Sequence, residues 1–268
     1  MYFVHQQIFL IMANNNPIGV YDSGFGGLSV WRALYDALPN ESLVYLGDGK
    51  NCPYGSRPAE QIRQLAEQAV GDLLQRGCKM VVVACNTATA AAIEYLRDRF
   101  SHIPIVGLEP AVKPACAMTR SKVVGVIATE RSLKGEKFLS TVARYGEGVE
   151  VIKAVGEGFV EAVERNEEQQ PETEQAVRRV VEPIIERGAD VIVLGCTHYP
   201  FLRDVIARVV GDRDVAVIDS GAAVEKRVES LLDEYGLRAA ADNTPTLEFI
   251  TFADEEYRQR LQDKAMAE

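Results

Sequence analysis

At 268 residues with 47% hydrophobic content, the chain is long enough for one large domain or two modest ones with packed cores. A formal net charge of −10 repels a phosphate backbone, and short basic pairs such as Arg178-Arg179 make no patch, which excludes nucleic acid as the primary ligand. No apolar run approaches the roughly 20 residues of a membrane span.

Five cysteines (Cys52, Cys78, Cys85, Cys116, Cys196) are an odd number without a CxxC pair, and only Cys196 lies near a histidine in sequence. Reduced thiols in a cytoplasmic protein are therefore expected, with neither a disulfide framework nor a bound metal. The start, Met1 to Ala13, contains Ile8-Phe9-Leu10-Ile11 but lacks the basic flank and apolar length of a signal peptide. Residues 1–16 are read as an N-terminal extension, with Met12 a candidate start.

From there, β-branched runs alternate with helix-period stretches. The runs are Ile18–Tyr21, Leu43–Leu46, Met80–Val83, Ile103–Val106, Val123–Ile127, Val149–Ile152, Val191–Leu194 and Val215–Ile218. Leu28, Trp31, Leu34 and Leu38, then Ile62, Leu65, Ala69 and Leu73, fall at helical spacing and are read as core stripes. This alternation predicts an α/β fold with mostly parallel sheets flanked by helices.

Asp22 closes the first run and enters Ser23-Gly24-Phe25-Gly26-Gly27, a turn that presents backbone N–H groups at a helix start. It lacks the lysine of a P-loop and does not fit GxGxxG, so a substrate carboxylate is a better ligand for it than a nucleotide. The alternative is a tight turn that needs glycine for backbone angles alone.

The two halves match internally. Val81-Val82-Val83-Ala84-Cys85-Asn86-Thr87 aligns with Ile192-Val193-Leu194-Gly195-Cys196-Thr197-His198 at an offset of 111 residues, which also aligns Val106 with Val217. Gly19-Val20-Tyr21-Asp22-Ser23 aligns with Gly125-Val126-Ile127-Ala128-Thr129 at an offset of 106. A duplicated α/β unit is expected: residues 17–111 with 223–268 form one domain, and 112–222 the other. Each cysteine of the matched pair then ends an equivalent strand, facing one cleft between the domains.

Cys85 and Cys196 each precede a polar residue and a predicted helix start, a setting that favours the thiolate. Two bases about one carbon are what stereoinversion needs, since one removes the α-hydrogen and the other returns a proton to the opposite face. The carbanion-like intermediate must be held by hydrogen bonds in a water-poor cleft, because no electron-sink cofactor is apparent. His198 is placed to assist Cys196, and Asp22 to assist Cys85. Cys52, Cys78 and Cys116 are read as inert, small apolar residues.

In combination, Ile18–Leu28, Pro53-Tyr54-Gly55, Ala84-Cys85-Asn86-Thr87-Ala88 and Gly195-Cys196-Thr197-His198-Tyr199-Pro200 resemble the glutamate racemase family. The resemblance implies interconversion of L- and D-glutamate for peptidoglycan synthesis, two pseudo-symmetric domains, no cofactor and a homodimer. It implies Cys85 as the base acting on D-glutamate and Cys196 as the one acting on L-glutamate, assisted by Asp22 and His198. Asp22, Ser23, Tyr54, Gly55, Asn86, Thr87, Thr197 and His198 match the family's substrate contacts.

Glu164, after Phe159-Val160, is the best match to the family's assisting glutamate, but Val155-Gly156-Glu157-Gly158 replaces the usual Cys-Pro-Leu stretch and leaves the roles of Glu164 and Glu157 open. Tyr21 also replaces the usual Phe or Ile. The alternative readings are an aspartate racemase, a cysteine-dependent hydrolase built on Cys196 and His198, and a two-domain amino-acid binding module.

Overall fold

The computed structural model describes residues 13–267. The N-terminal extension up to Met12, with its candidate start, lies outside the described residues.

Runs of β-branched residues buried on both faces become parallel strands, and the amphipathic stretches between them become the crossover helices. In chain order these are β1 (Ile18–Asp22), α1 (Leu28–Ala37), β2 (Leu43–Gly47), α2 (Ala59–Gln75), β3 (Met80–Val83), α3 (Asn86–Arg99), β4 (Ile105–Gly107) and α4 (Val112–Met118). Next come β5 (Val123–Ala128), α5 (Glu130–Lys134), α6 (Glu136–Tyr145), β6 (Glu150–Val155), α7 (Phe159–Glu164), α8 (Pro171–Glu186) and β7 (Val191–Gly195). A single 3₁₀ turn at Tyr199–Leu202, α9 (Arg203–Val210), β8 (Ala216–Ile218), α10 (Gly221–Glu234), β9 (Leu247–Thr251) and α11 (Glu255–Met266) complete the chain.

The strands form two sheets, ordered β4-β3-β1-β2-β9 and β6-β5-β7-β8, with every pairing parallel. Read as β8-β7-β5-β6, the second sheet repeats the order β4-β3-β1-β2, so the duplication in sequence is a duplication of topology. All eight anticipated strands are present; β9 is the addition, an edge strand whose half-exposed residues blur the pattern. Each sheet has an apolar core on both faces: Trp31, Leu34 and Met80 against Leu73, Val81 and Leu96 in the first, and Val177, Ile192 and Ile206 against Ala115, Val126 and Val193 in the second.

After β8 the chain returns to the first sheet, where α10 packs on α1 and β4, and α11 packs on β9 and α1. All five cysteines are free thiols, and among the described residues no helix is long and apolar enough to cross a membrane.

Candidate active site

The carboxyl ends of β1, β3, β5 and β7 meet at one cleft between the sheets, where a crevice in an open α/β sheet is expected. Its cavity of roughly 210 Å³ is lined by both thiols, Cys85 and Cys196, and by Ser23, Tyr54, Gly55, Asn86, Thr87, Thr197 and His198. Asp22 and Glu164 are not in that lining; they stand behind it and hold residues that are.

Cys85 follows β3 and is the N-cap of α3. Its Sγ accepts a hydrogen bond from Ala88 N–H at 3.4 Å and lies 3.6 Å from Ser23 Oγ. These contacts do not deliver the thiolate that the helix start predicts. Burial, reinforced by the Asp22 charge, pushes the Cys85 thiol up to about 12 against the pull of its hydrogen bonds with Ala88 and Ser23.

Cys196 follows β7 at the equivalent place, with different surroundings. Its Sγ lies 3.8 Å from His198 Nδ1, and His198 Nε2 lies 2.6 Å from Glu164 Oε1. Burial opposes the imidazolium, yet its hydrogen bonds to Cys196, Cys52 and Glu164 outweigh that and hold His198 well above its ordinary value. Burial likewise opposes the Glu164 carboxylate, and the His198 contact, the Phe25 N–H and the Tyr257 hydroxyl bring it below its usual range. The result is a buried ion pair whose cationic member faces the Cys196 sulfur.

The glycine-rich turn spends two of its N–H groups on the protein's own carboxylates. Gly24 N–H donates to Asp22 Oδ1 at 2.8 Å, and Phe25 N–H donates to Glu164 Oε1 at 2.8 Å, so the carboxylate received from across the cleft is the protein's own. Glycine is needed there for space: a Cβ on Gly24 would sit 2.1 Å from Glu164 Oε1, and one on Gly26 would sit 2.3 Å from His198 Nδ1.

Asp22 is fully buried, and its Oδ2 accepts the Thr197 hydroxyl at 3.0 Å, tying the first unit to the loop that carries Cys196. Burial pushes its carboxyl up to about 6 against the opposing pull of His198 and those hydrogen bonds. The Tyr54 hydroxyl is also committed, donating to Asp48 Oδ2 at 2.6 Å and accepting from Tyr21 Oη at 2.8 Å, which leaves its ring and backbone to face the cavity. Tyr21 thereby gains a use for the hydroxyl that sets it apart from the family's Phe or Ile. Asn86 Nδ2 is buried without a partner, an unspent donor on the cavity wall.

The Asp/Glu/Hydantoin racemase family pattern matches residues 26–227. A glutamate racemase of Herpetosiphon aurantiacus is 48% identical over 240 residues, covering 90% of this chain and 94% of that one. Among solved structures, a glutamate racemase isoform from Bacillus anthracis superposes with a TM-score of 0.82 at 30% identity, and the enzyme from Francisella tularensis in complex with D-glutamate with 0.81 at 28%, each covering 94% of both chains.

The chain belongs to the Asp/Glu/Hydantoin racemase family.

Within this racemase framework, sequence reasoning passed over Thr129, Val160, Glu161 and Tyr199 as cavity-lining residues. Thr129 was within reach, because the internal repeat aligns it with Ser23, and its Oγ1 lies 3.0 Å from Thr87 Oγ1 across the cleft. Glu157 lines the cavity mouth, while Glu164 is the glutamate tied to His198, which separates the two places left open above. No lysine or arginine lines this racemase cavity among the described residues, so a bound carboxylate would rely on hydroxyl, amide and backbone donors. Cys52, Glu164 and His198 gather their donor atoms within 4.8 Å of one another, the one such group among the described residues with metal-ligand chemistry. The carboxylate there is already engaged by His198, Phe25 and Tyr257, and burial pushes the Cys52 thiol up to about 12, so the cluster reads as part of the His198 network.

Proposed function

We propose that this chain interconverts L- and D-glutamate without a cofactor, by proton transfer between the substrate α-carbon and two cysteines. One observation carries the reading: Cys85 and Cys196, at equivalent strand ends of a duplicated fold, line one cavity that has room for a small amino acid.

With L-glutamate, Cys196 as thiolate removes the α-hydrogen, and the adjacent imidazolium of His198 compensates its charge before the transfer. The Cys85 thiol, held protonated by its burial, returns a proton to the opposite face, giving D-glutamate and a Cys85 thiolate. The reverse direction starts from that second protonation state. The carbanion-like intermediate is stabilised by donors already fixed in the cavity, with the Asn86 amide, the first turn of α3 at Thr87 and the turn at Thr197 as the groups in reach.

Two features favour glutamate: the relatives quoted above are glutamate racemases, and the Francisella protein is a complex with D-glutamate. The product would feed peptidoglycan assembly in the cytoplasm, and the working assembly is a homodimer, which sedimentation of the purified protein tests.

The deciding experiment incubates the metal-free protein with L-glutamate in D2O. Loss of circular dichroism together with α-deuterium incorporation is the expected result. An inert protein with both glutamate enantiomers but active with aspartate would replace the substrate, and inactivity with both would remove the racemase reading.

A further inference from the structure

Building on the two-thiol reading, in which Cys196 acts on one face of glutamate, we propose that Tyr257 is a positioning residue for Cys196, working through Glu164 and His198.

The Glu164 carboxylate has two oxygens to place. Oε1 accepts from His198 Nε2 at 2.6 Å and from Phe25 N–H at 2.8 Å; Oε2 accepts from the Tyr257 hydroxyl at 2.7 Å. Two donors on one oxygen leave the carboxylate free to swing about that oxygen, and the third donor stops the swing. The orientation of the His198 ring, and with it the direction in which Nδ1 faces the Cys196 sulfur 3.8 Å away, depends on that carboxylate.

Tyr257 is itself fixed. It lies on α11, its ring stacks on Phe25 with centroids 4.7 Å apart and planes 10° apart, and its other side lies so close to Gly49 that a Cβ there would be 2.2 Å from the ring. Burial and the Glu164 charge hold the phenol well above its usual value, so it stays a donor. The rest of α11 fastens the same neighbourhood: Arg260 donates to the Glu164 carbonyl and sits 5.0 Å over the Phe25 ring, and Lys264 reaches Asn166 Oδ1 at 2.9 Å. A helix packed on the first sheet thus grips α7 of the second unit, next to the glutamate that aims His198. Tyr257 does not line the cavity, and no such chain stands behind Cys85, whose partners are Ser23 and Ala88.

The one-sidedness makes the proposal testable. Enantiomers have an equilibrium constant of one, so any variant must lower kcat/KM equally in both directions, and that ratio cannot tell which thiol was disturbed. Isotope effects can. If Cys196 is slowed, proton transfer at that thiol becomes more limiting, and the α-deuterium effect on kcat/KM grows with L-glutamate and shrinks with D-glutamate.

The experiment is Tyr257→Phe in the full chain, which keeps the ring stack, with a thermal melt to confirm the fold. The expected result is a roughly 3- to 10-fold fall in kcat/KM, of the size of one lost hydrogen bond, with the two isotope effects moving in those opposite senses. Glu164→Gln should move them the same way, and the double variant should add little to Glu164→Gln alone. Isotope effects that stay put or move together, or losses that simply multiply, would overturn the assignment of Tyr257. Failure of the wild-type chain to racemise would instead remove the functional reading.

Discussion

Cys85 and Cys196 occupy matching positions after β3 and β7, but their supports differ in kind. Behind Cys196 stands a charged chain, His198, Glu164 and Tyr257, each within hydrogen-bond reach of the next. Beside Cys85 there are a helix N–H, a serine hydroxyl and the buried Asp22, whose charge raises the thiol. Duplication copied the backbone, while the side chains diverged. What a racemase needs at each instant is opposite protonation states, one thiol as base and the other as acid, and these exchange with every inversion.

The largest expected effect comes from erasing either side of the pair. Cys85→Ser and Cys196→Ser should each lower racemisation by about 10²- to 10⁴-fold, the usual contribution of a positioned acid or base. In D2O the Cys85→Ser protein should still exchange the α-hydrogen of L-glutamate, and Cys196→Ser that of D-glutamate, without inversion. Near-wild-type racemisation by either variant would end the two-thiol account.

Glu164→Gln sharpens the comparison by removing charge from one side only. A hydrogen bond to a charged partner is worth about 1.5–3 kcal/mol, so roughly a 10- to 100-fold loss of kcat/KM is expected. Ser23→Ala, which touches the Cys85 side without changing charge, should cost less than tenfold by the same steady-state assay. Equal losses in the two variants would mean that the charged chain gives Cys196 no special support.

The same asymmetry explains what could be read from the sequence. Strands, their parallel α/β class, the duplicated unit and the paired thiols follow from apolar patterning and the internal repeat, which are local or self-referential signals. The meaning of Gly24 and Gly26 is neither, since it depends on Glu164 and His198 arriving from the other unit. The turn was therefore legible as glycine-rich but not as a seat for a protein carboxylate. Tyr257 was invisible for the same reason: nothing near it in the chain marks it, and its partner is 93 residues away. Gly26→Ala tests the space argument. It should cost about 1–3 kcal/mol in denaturant unfolding and should lower activity by displacing His198, whereas Gly71→Ala, with open space at its Cβ, should do neither.

Asp22 gives the prediction with a definite sign in pH. Its folded-state carboxyl is raised from 3.8 to about 6, first by burial, so ionising it costs the folded protein stability. The group's stabilisation is complete below the unfolded value and is lost as pH climbs through about 6. In Asp22→Asn the amide still accepts from Gly24 N–H, and its Nδ2 donates to Thr197 Oγ, so the geometry survives while the titration goes. The variant should therefore gain on the wild type by about 3 kcal/mol between pH 3.5 and 7.5, at about 1.4 kcal/mol per unit, most of it below pH 6.5. Urea melts at a series of pH values measure this. If the Asp22 charge also matters to the chemistry, the wild-type kcat/KM should fall with acid through pH 6 and the variant should lose that limb. A constant stability gap between the two proteins across this range would mean that Asp22 ionises as readily in the fold as in water, and its burial beneath the Thr197 loop would then carry no electrostatic cost.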